Sequence, residues 1–248
     1  MFFRRRATQA EYCDQPDLPV ADLVDNYRQL ARFNRLALVT DPFQRLLVRW
    51  LGQANVRKLS FLDLGAGDGS IGRSLEIWAR RRGWDWRVTN LDTNCAALSL
   101  GSNRRNVAAS ACAVPFADDT FDVVIASQMT HHLTDEEAVG HFREAWRVSR
   151  DAVFLTDAHR NVGAWCVLWL VLRLMRVTPH FRSDGLLSVQ RGWRVGEWRE
   201  LARRAGIPQA RVWLYYGSRV MLQARKLRAG DAVRVLPPRL EPDLAVAP

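Results

Sequence analysis

The chain has 248 residues, 48 % hydrophobic and 25 % charged, the balance of a globular protein with one sizeable core rather than a disordered chain. Its longest apolar stretch, VGAWCVLWLVL at 162–172, stops at Arg173 and falls short of the roughly 20 residues that cross a bilayer. The formal net charge is +10, yet of the 36 basic residues only Lys58 and Lys226 are lysines and the arginines are dispersed, which argues against a nucleic-acid patch.

The opening MFFRRRATQAEY lacks the apolar run of a secretory signal, and Cys13, Cys95, Cys112 and Cys166 are scattered with no CxxC pair. A cytoplasmic protein with free thiols and no metal site is expected. Residues 1–18 read as an arm, with Pro16 and Pro19 marking its end. Apolar residues then recur at helical spacing (Leu23, Tyr27, Leu30, Phe33, Leu38), and Asp41 before Pro42 signals a second helix start.

Strands and helices alternate from there. KLSFLDL (58–64) predicts a buried parallel strand, Ser70 to Arg82 a helix ended by Gly83, WRVTNLD (86–92) a second strand, and 94 onward a short helix. NVAASAC predicts a weak third strand and FDVVIAS (121–127) a strong fourth. Thr134 with Glu137 makes a capping box for a helix to Val148, followed by DAVFLTD (151–157). After the apolar stretch a loop is expected, then a helix over 195–204, then ARVWLYY (210–216) and RVMLQAR (219–225) joined at Gly217-Ser218 as a hairpin. The pattern predicts a doubly wound, seven-stranded, mostly parallel α/β sheet with an antiparallel C-terminal hairpin. Its units would be an N-terminal arm and helices (1–52) covering the active site, a core (53–228) with an insertion at about 160–194, and a disordered tail (229–248).

The first strand runs into FLDLGAGDGS, residues 61–70. In such a sheet the first strand-to-helix turn is where a ligand binds. Gly65, Gly67 and Gly69 allow the tight bend and close approach of backbone N–H groups, but the third dinucleotide glycine is replaced by Ser70 and no P-loop lysine is present. Asp63, just before the loop, would repel a pyrophosphate and suits a cationic ligand such as S-adenosylmethionine. Asp92, at the end of the second strand, is placed to accept ribose hydroxyls.

FLDLGAGDGS, NLDTN and SACAVPFADDTFDVVIASQMTHHL together resemble class I S-adenosylmethionine-dependent methyltransferases of the small-molecule branch. PDLPVADLVDNYRQLARFNR, DAHR and HFRSDGLLSVQRGWRVGEWRELARRAG resemble bacterial methyltransferases encoded beside type III polyketide synthases. The resemblance implies the Rossmann-like methyltransferase fold and cofactor contacts from Asp63, Gly65, Ala66, Gly67, Gly69, Asp92, Thr93, Ala111, Cys112, Ser127 and Arg35. Ser110 stands where the family often has an acid for the adenine amino group, so backbone around Ala111 and Cys112 is expected to hold it. LALVT follows Asn34-Arg35 in place of an aromatic and glycines.

Methyl transfer to a hydroxyl needs an aligned acceptor, excluded water and a proton acceptor. His132, His131 and His159, at the ends of the fourth and fifth strands, are the candidate bases; His141 and His180 are given no role. Arg160, Trp165 and Trp169 are candidate acceptor contacts. The segment 163–175 reads as a buried helix, a lid over an apolar acceptor, or a membrane-surface contact edged by Arg173 and Arg176. The leading expectation is O- or C-methylation of a small hydrophobic phenolic, quinone or polyketide-derived compound. An RNA methyltransferase and a catalytically silent cofactor-binding partner remain the alternatives.

Overall fold

Seven strands form one sheet in the order β3-β2-β1-β4-β5-β7-β6. The structure is a computed structural model and describes residues 3–15, 17–51, 56–101 and 105–226; Pro16, the 52/53 boundary and the tail from 229 lie outside them. β1 (Lys58–Leu64), β2 (Asp85–Asp92), β3 (Asn106–Ala108), β4 (Phe121–Ser127) and β5 (Ser149–Ala158) run parallel. β7 (Arg219–Arg225) pairs antiparallel with β5, and β6 (Arg211–Tyr215) pairs with β7, so the doubly wound fold is the expected one. Strand order reverses between β1 and its neighbours β2 and β4, which opens a crevice beyond their carboxyl ends.

The central strands are apolar on both faces because helices cover both. Phe61, Val88, Val123 and Ile125 pack with Phe43, Leu47 and Leu75, the last from α3 (Ser70–Arg80) and Leu47 from α2 (Leu47–Leu51). Leu62, Leu64, Val124 and Leu155 pack on the other face with Phe142 of α5 (Asp135–Val148) and Trp198 and Leu201 of α8 (Val195–Arg204). Neighbours in sequence such as Phe61 and Leu62 thus feed opposite cores, as the two-residue period of a strand requires. The Thr134–Glu137 capping box is present, and Asn94 caps α4 (Cys95–Leu100). Asp41 precedes the π-helical turn Pro42–Leu46 without capping it; its carboxylate instead meets Arg45 at 2.6 Å and accepts from Tyr215 Oη at 3.0 Å.

Several expectations are corrected. The third strand spans only Asn106–Ala108. The expected loop before α8 is a helix, α7 (Pro179–Arg191), capped by Thr178 with Pro179 in its first turn. Asp184 and Gly185 interrupt any apolar stripe there, and the buried Asp184 and Arg191 bind other elements instead of solvent. Gly185 lets α6 (Val162–Leu174) lie close: a Cβ there would sit 3.1 Å from Leu172 Cδ1. α6 is not a buried helix, since Val167 is 65 % and Leu174 73 % exposed. The arm is tied to the body, with Ala7 N donating to Gln190 O at 3.1 Å and Tyr12 and Cys13 N donating to the two Asp184 oxygens at 2.8 and 3.0 Å.

Gly192 joins α7 to the strand end: a Cβ there would stand 2.4 Å from the Ala158 carbonyl oxygen, whereas one at Gly196 in α8 meets nothing within 4 Å. Gly192→Ala should therefore cost about 1–3 kcal/mol through overpacking. Gly196→Ala should gain up to about 1 kcal/mol from helix propensity. Paired urea melts of the two variants check the contrast.

Candidate active site

The β1–α3 turn is built from left-handed residues: Gly65, Gly67 and Gly69 have φ of 68°, 56° and 69°. All three are also close-approach points, because a Cβ on Gly65 would lie 2.6 Å from Met129 Cβ, one on Gly67 2.8 Å from the Tyr27 hydroxyl and one on Gly69 2.3 Å from Asn90 Nδ2. Leu91 O accepts from Gly65 N (2.8 Å) and Ala66 N (3.1 Å). Asp92 secures the loop to β2: one oxygen accepts from Gly67 N at 2.7 Å and the other from Asn94 N at 2.8 Å. The buried Asn90, one strand-turn back, backs Gly69 and donates to Asn106 Oδ1 at 2.9 Å.

A pocket of 710 Å³ opens from this loop. The first wall is Gly65, Ala66, Gly67, Asp92 and Thr93; the second is Ala109 to Cys112; the third is Ser127, Met129, His132 and Leu133 from the end of β4. α1 (Val20–Leu36) covers it with Tyr27, Leu30 and Asn34, and the arm adds Cys13, Asp14 and Gln15. Asn34 Oδ1 and Ser127 Oγ are buried there without a hydrogen bond among the described residues. The Cys112 amide is taken by Ser110 Oγ at 3.1 Å. Tyr27, Leu30 and Asn34 share one helical stripe of α1, in the N-terminal segment expected to cover the active site.

Asp63 lies behind the loop on β1 rather than in the pocket lining, and its Oδ2 makes no hydrogen bond. Burial, with the charges of Asp92 and Asp68, pushes its carboxyl up to about 8. Gly69 shapes the turn without facing the pocket, and Arg35 points outward while its neighbour Asn34 lines the cavity.

The three candidate bases part company. His132 lines the pocket, with Nδ1 2.9 Å from Asp14 Oδ2. His131 is buried: Nδ1 is 2.6 Å from Asp157 Oδ1, and Nε2 is 3.4 Å from Glu11 Oε1. Burial alone would lower its pKa, but the charge and hydrogen bond of Asp157, with Glu11, raise it to about 10, so it stands as an imidazolium and is no free base. His159 lies away from the pocket beside the hairpin turn. Its Nδ1 is 2.9 Å from the Asn161 amide, and burial, with the charges of Arg194 and Arg160, lowers its pKa.

The expected acceptor contacts are likewise displaced. Arg160 is 1 % exposed and spends its guanidinium on Glu197 (2.6 Å), Gly192 O (2.7 Å) and Phe3 O (3.2 Å). Trp165 and Trp169 sit on α6, which contributes nothing to the pocket lining. The arm, part of the N-terminal segment (1–52) expected to cover the active site, brings Glu11 and Asp14 against the histidines, although nothing in their local sequence marks those two acids. Arg191 closes this polar end, donating to His131 O (3.2 Å) and His132 O (3.1 Å) and pairing with Asp14 at 3.1 Å.

Residues 62–155, which carry β1, the glycine loop, Asp92 and the end of β4, match the family model of a methyltransferase domain. No curated protein matches the chain. Among solved structures it is similar in fold to a SAM-dependent methyltransferase from Aquifex aeolicus, at 14 % identity and a TM-score of 0.57 over 85 % of this chain and 100 % of that one. It is also similar to the plantazolicin methyltransferase BamL, solved with a triazolic desmethyl-plantazolicin analogue and SAH, at 11 % identity and a TM-score of 0.63 over 83 % and 91 %. A Nostoc punctiforme structure with a provisional O-methyltransferase name matches at 17 % identity and a TM-score of 0.57, covering 89 % of this chain, which spans 64 % of that protein's length. The match covers the central strands of the sheet, and the solved structures share its Rossmann-like fold. No helix among the described residues is long and apolar enough to cross a membrane.

The raised pKa of Asp63 has a testable sign. A carboxyl that keeps its proton more tightly when folded lends stability below the usual carboxylate range, and that stability is lost as pH rises through about 8. Asp63→Asn should remove this loss, so that the variant gains on the parent between pH 5 and pH 9 in thermal melts.

Proposed function

We propose that this chain is an S-adenosylmethionine-dependent methyltransferase acting on oxygen or an acidic carbon of a small hydrophobic acceptor, of phenolic, quinone or polyketide-derived type. The observation that carries the reading is one continuous pocket. It brings the glycine loop and Asp92 together with the apolar Leu30, Met129 and Leu133 and with His132, the one histidine among the described lining residues. Its 710 Å³ falls in the range of small-molecule sites. BamL, solved with a triazolic desmethyl-plantazolicin analogue and SAH, is a neighbour in fold whose named acceptor is a small molecule.

The residues present fit the cofactor. Asp92 would take the ribose hydroxyls, Ser127 with its unpartnered Oγ the amino-acid portion, and Ala109 to Cys112 the adenine side, against a glycine loop whose amides are used within the fold; Asp63 behind the loop, its carboxyl pushed up to about 8, keeps its proton and adds no charge at neutral pH. When bound, S-adenosylmethionine supplies an electrophilic methyl group on a sulfonium. Tyr27 and Leu30 of α1 exclude water from above. His132, held through Nδ1 by Asp14, presents Nε2 as the proton acceptor for an acceptor hydroxyl.

Mass spectrometry of the purified protein with isotope-labelled cofactor, phenolic lipids, naphthoquinones and tRNA tests the reading. One labelled methyl is expected on a phenol or quinone and none on tRNA; methylation of tRNA alone would overturn it. Asp92→Ala should weaken cofactor binding by about 1.5–3 kcal/mol in calorimetry. His132→Ala should lower turnover about 10²–10⁴-fold and leave cofactor affinity nearly intact.

A further inference from the structure

Glu11, His131 and His132 bring three ligand-type side chains together behind the point where His132 enters the pocket, with their donor atoms all within 4.8 Å of one another. Both imidazoles are fixed in the same sense. Nδ1 of His131 is held by Asp157 at 2.6 Å and Nδ1 of His132 by Asp14 at 2.9 Å, which turns both Nε2 atoms toward the one Glu11 carboxylate. A carboxylate behind each histidine is the arrangement that orients imidazoles as metal ligands and raises their basicity.

The distances distinguish an ion site from a hydrogen-bonded network. A buried N–H donating to a carboxylate contracts to about 2.7–2.9 Å. His131 Nε2 stops 3.4 Å from Glu11 Oε1, is buried, and makes no hydrogen bond. Two ligand atoms each about 2.0–2.1 Å from a tetrahedral ion stand roughly 3.4 Å apart. His132 Nε2, 3.9 Å from Glu11 Oε2, reaches the same point after a small turn of its ring.

The carboxylates of Glu11, Asp14 and Asp157 converge on the two imidazoles, with Arg191 3.1 Å from Asp14 and 3.9 Å from Glu11, and an incoming cation takes the place of the proton that His131 carries on Nε2.

We infer that Glu11, His131 and His132 form a binding site for a divalent transition-metal cation. Two imidazole nitrogens and one carboxylate suit zinc, iron(II) or cobalt(II) better than magnesium or calcium. Three protein ligands leave a position for an oxygen, and His132 belongs both to the cluster and to the pocket lining, so the ion lies within one side chain of the acceptor end. That purpose rests on the methyl-transfer reading; the site itself does not. With the ion bound, His132 is a ligand instead of a proton acceptor.

The test is titration of chelator-stripped full-length protein with Co²⁺, followed by visible absorption and calorimetry. One equivalent is expected, with ligand-field bands in the visible. Glu11→Gln and His131→Gln should each weaken binding at least 100-fold, and Asp157→Asn, which only positions His131, about 10–100-fold. Cys95→Ser and Cys166→Ser, exposed thiols outside the cluster, should leave it unchanged. If a Glu11 variant fails to fold, loss of the bands on adding excess Zn²⁺ to parent protein, with protection of the His131 and His132 rings from diethyl pyrocarbonate by either ion, gives the same answer. No Co²⁺ binding by the stripped parent, or binding untouched by both Glu11→Gln and His131→Gln, would overturn the site. Metal binding without methyl transfer to any acceptor would instead overturn the function and leave the site standing.

Discussion

The Asp157 carboxylate at the end of β5 is the fixed point of the site. It is fully buried, and its oxygens accept from the His131 amide (2.7 Å), the His131 ring (2.6 Å) and the Ala158 amide (2.6 Å). Burial would raise its pKa, but the His131 charge and these hydrogen bonds hold it below the ordinary carboxylate range. A charge in this position is tolerable only when every acceptor site is used. Satisfying it locks the short 3₁₀ turn Thr130–His132 against the sheet, and with it the point from which His132 enters the pocket.

The surrounding arginines extend this lock. Arg191 holds the carbonyls of the same turn from α7, Arg6 reaches its other side from the arm and stacks 3.4 Å over Trp193, and Arg160 ties the end of β5 to α8. Farther off, Arg147 bonds the Val114 and Phe116 carbonyls while pairing with Glu144 and Asp118. Much of the basic excess is therefore spent on joining loops, which a planar guanidinium with five donors does better than lysine.

Closure of the pocket follows from packing rather than from a dedicated lid. Tyr27 can lie over the loop because Gly67 has no side chain, and Met129 can lie beside it because Gly65 has none. The apolar α6, which the family resemblance implies as a lid over the acceptor, rests on α7 and leaves Val167, Leu170 and Leu174 exposed.

What the sequence determined by itself was whatever a few neighbouring residues decide. The apolar runs of β1, β4 and β5, the glycine turn with Asp92 at the next strand end, the Thr134–Glu137 cap and the terminal hairpin are local signals, and they place the glycine-loop half of the pocket. The tertiary structure alone decided the other half. Asp14 meets His132 across 118 residues and Arg191 across 177, and Glu11 meets Ser188 across 177, so no spacing rule connects them. Three similar histidines at strand ends became an imidazolium clamped by acids, a pocket residue and a loop residue, because burial and partner charges, which no short stretch of sequence carries, set the protonation and reach of each.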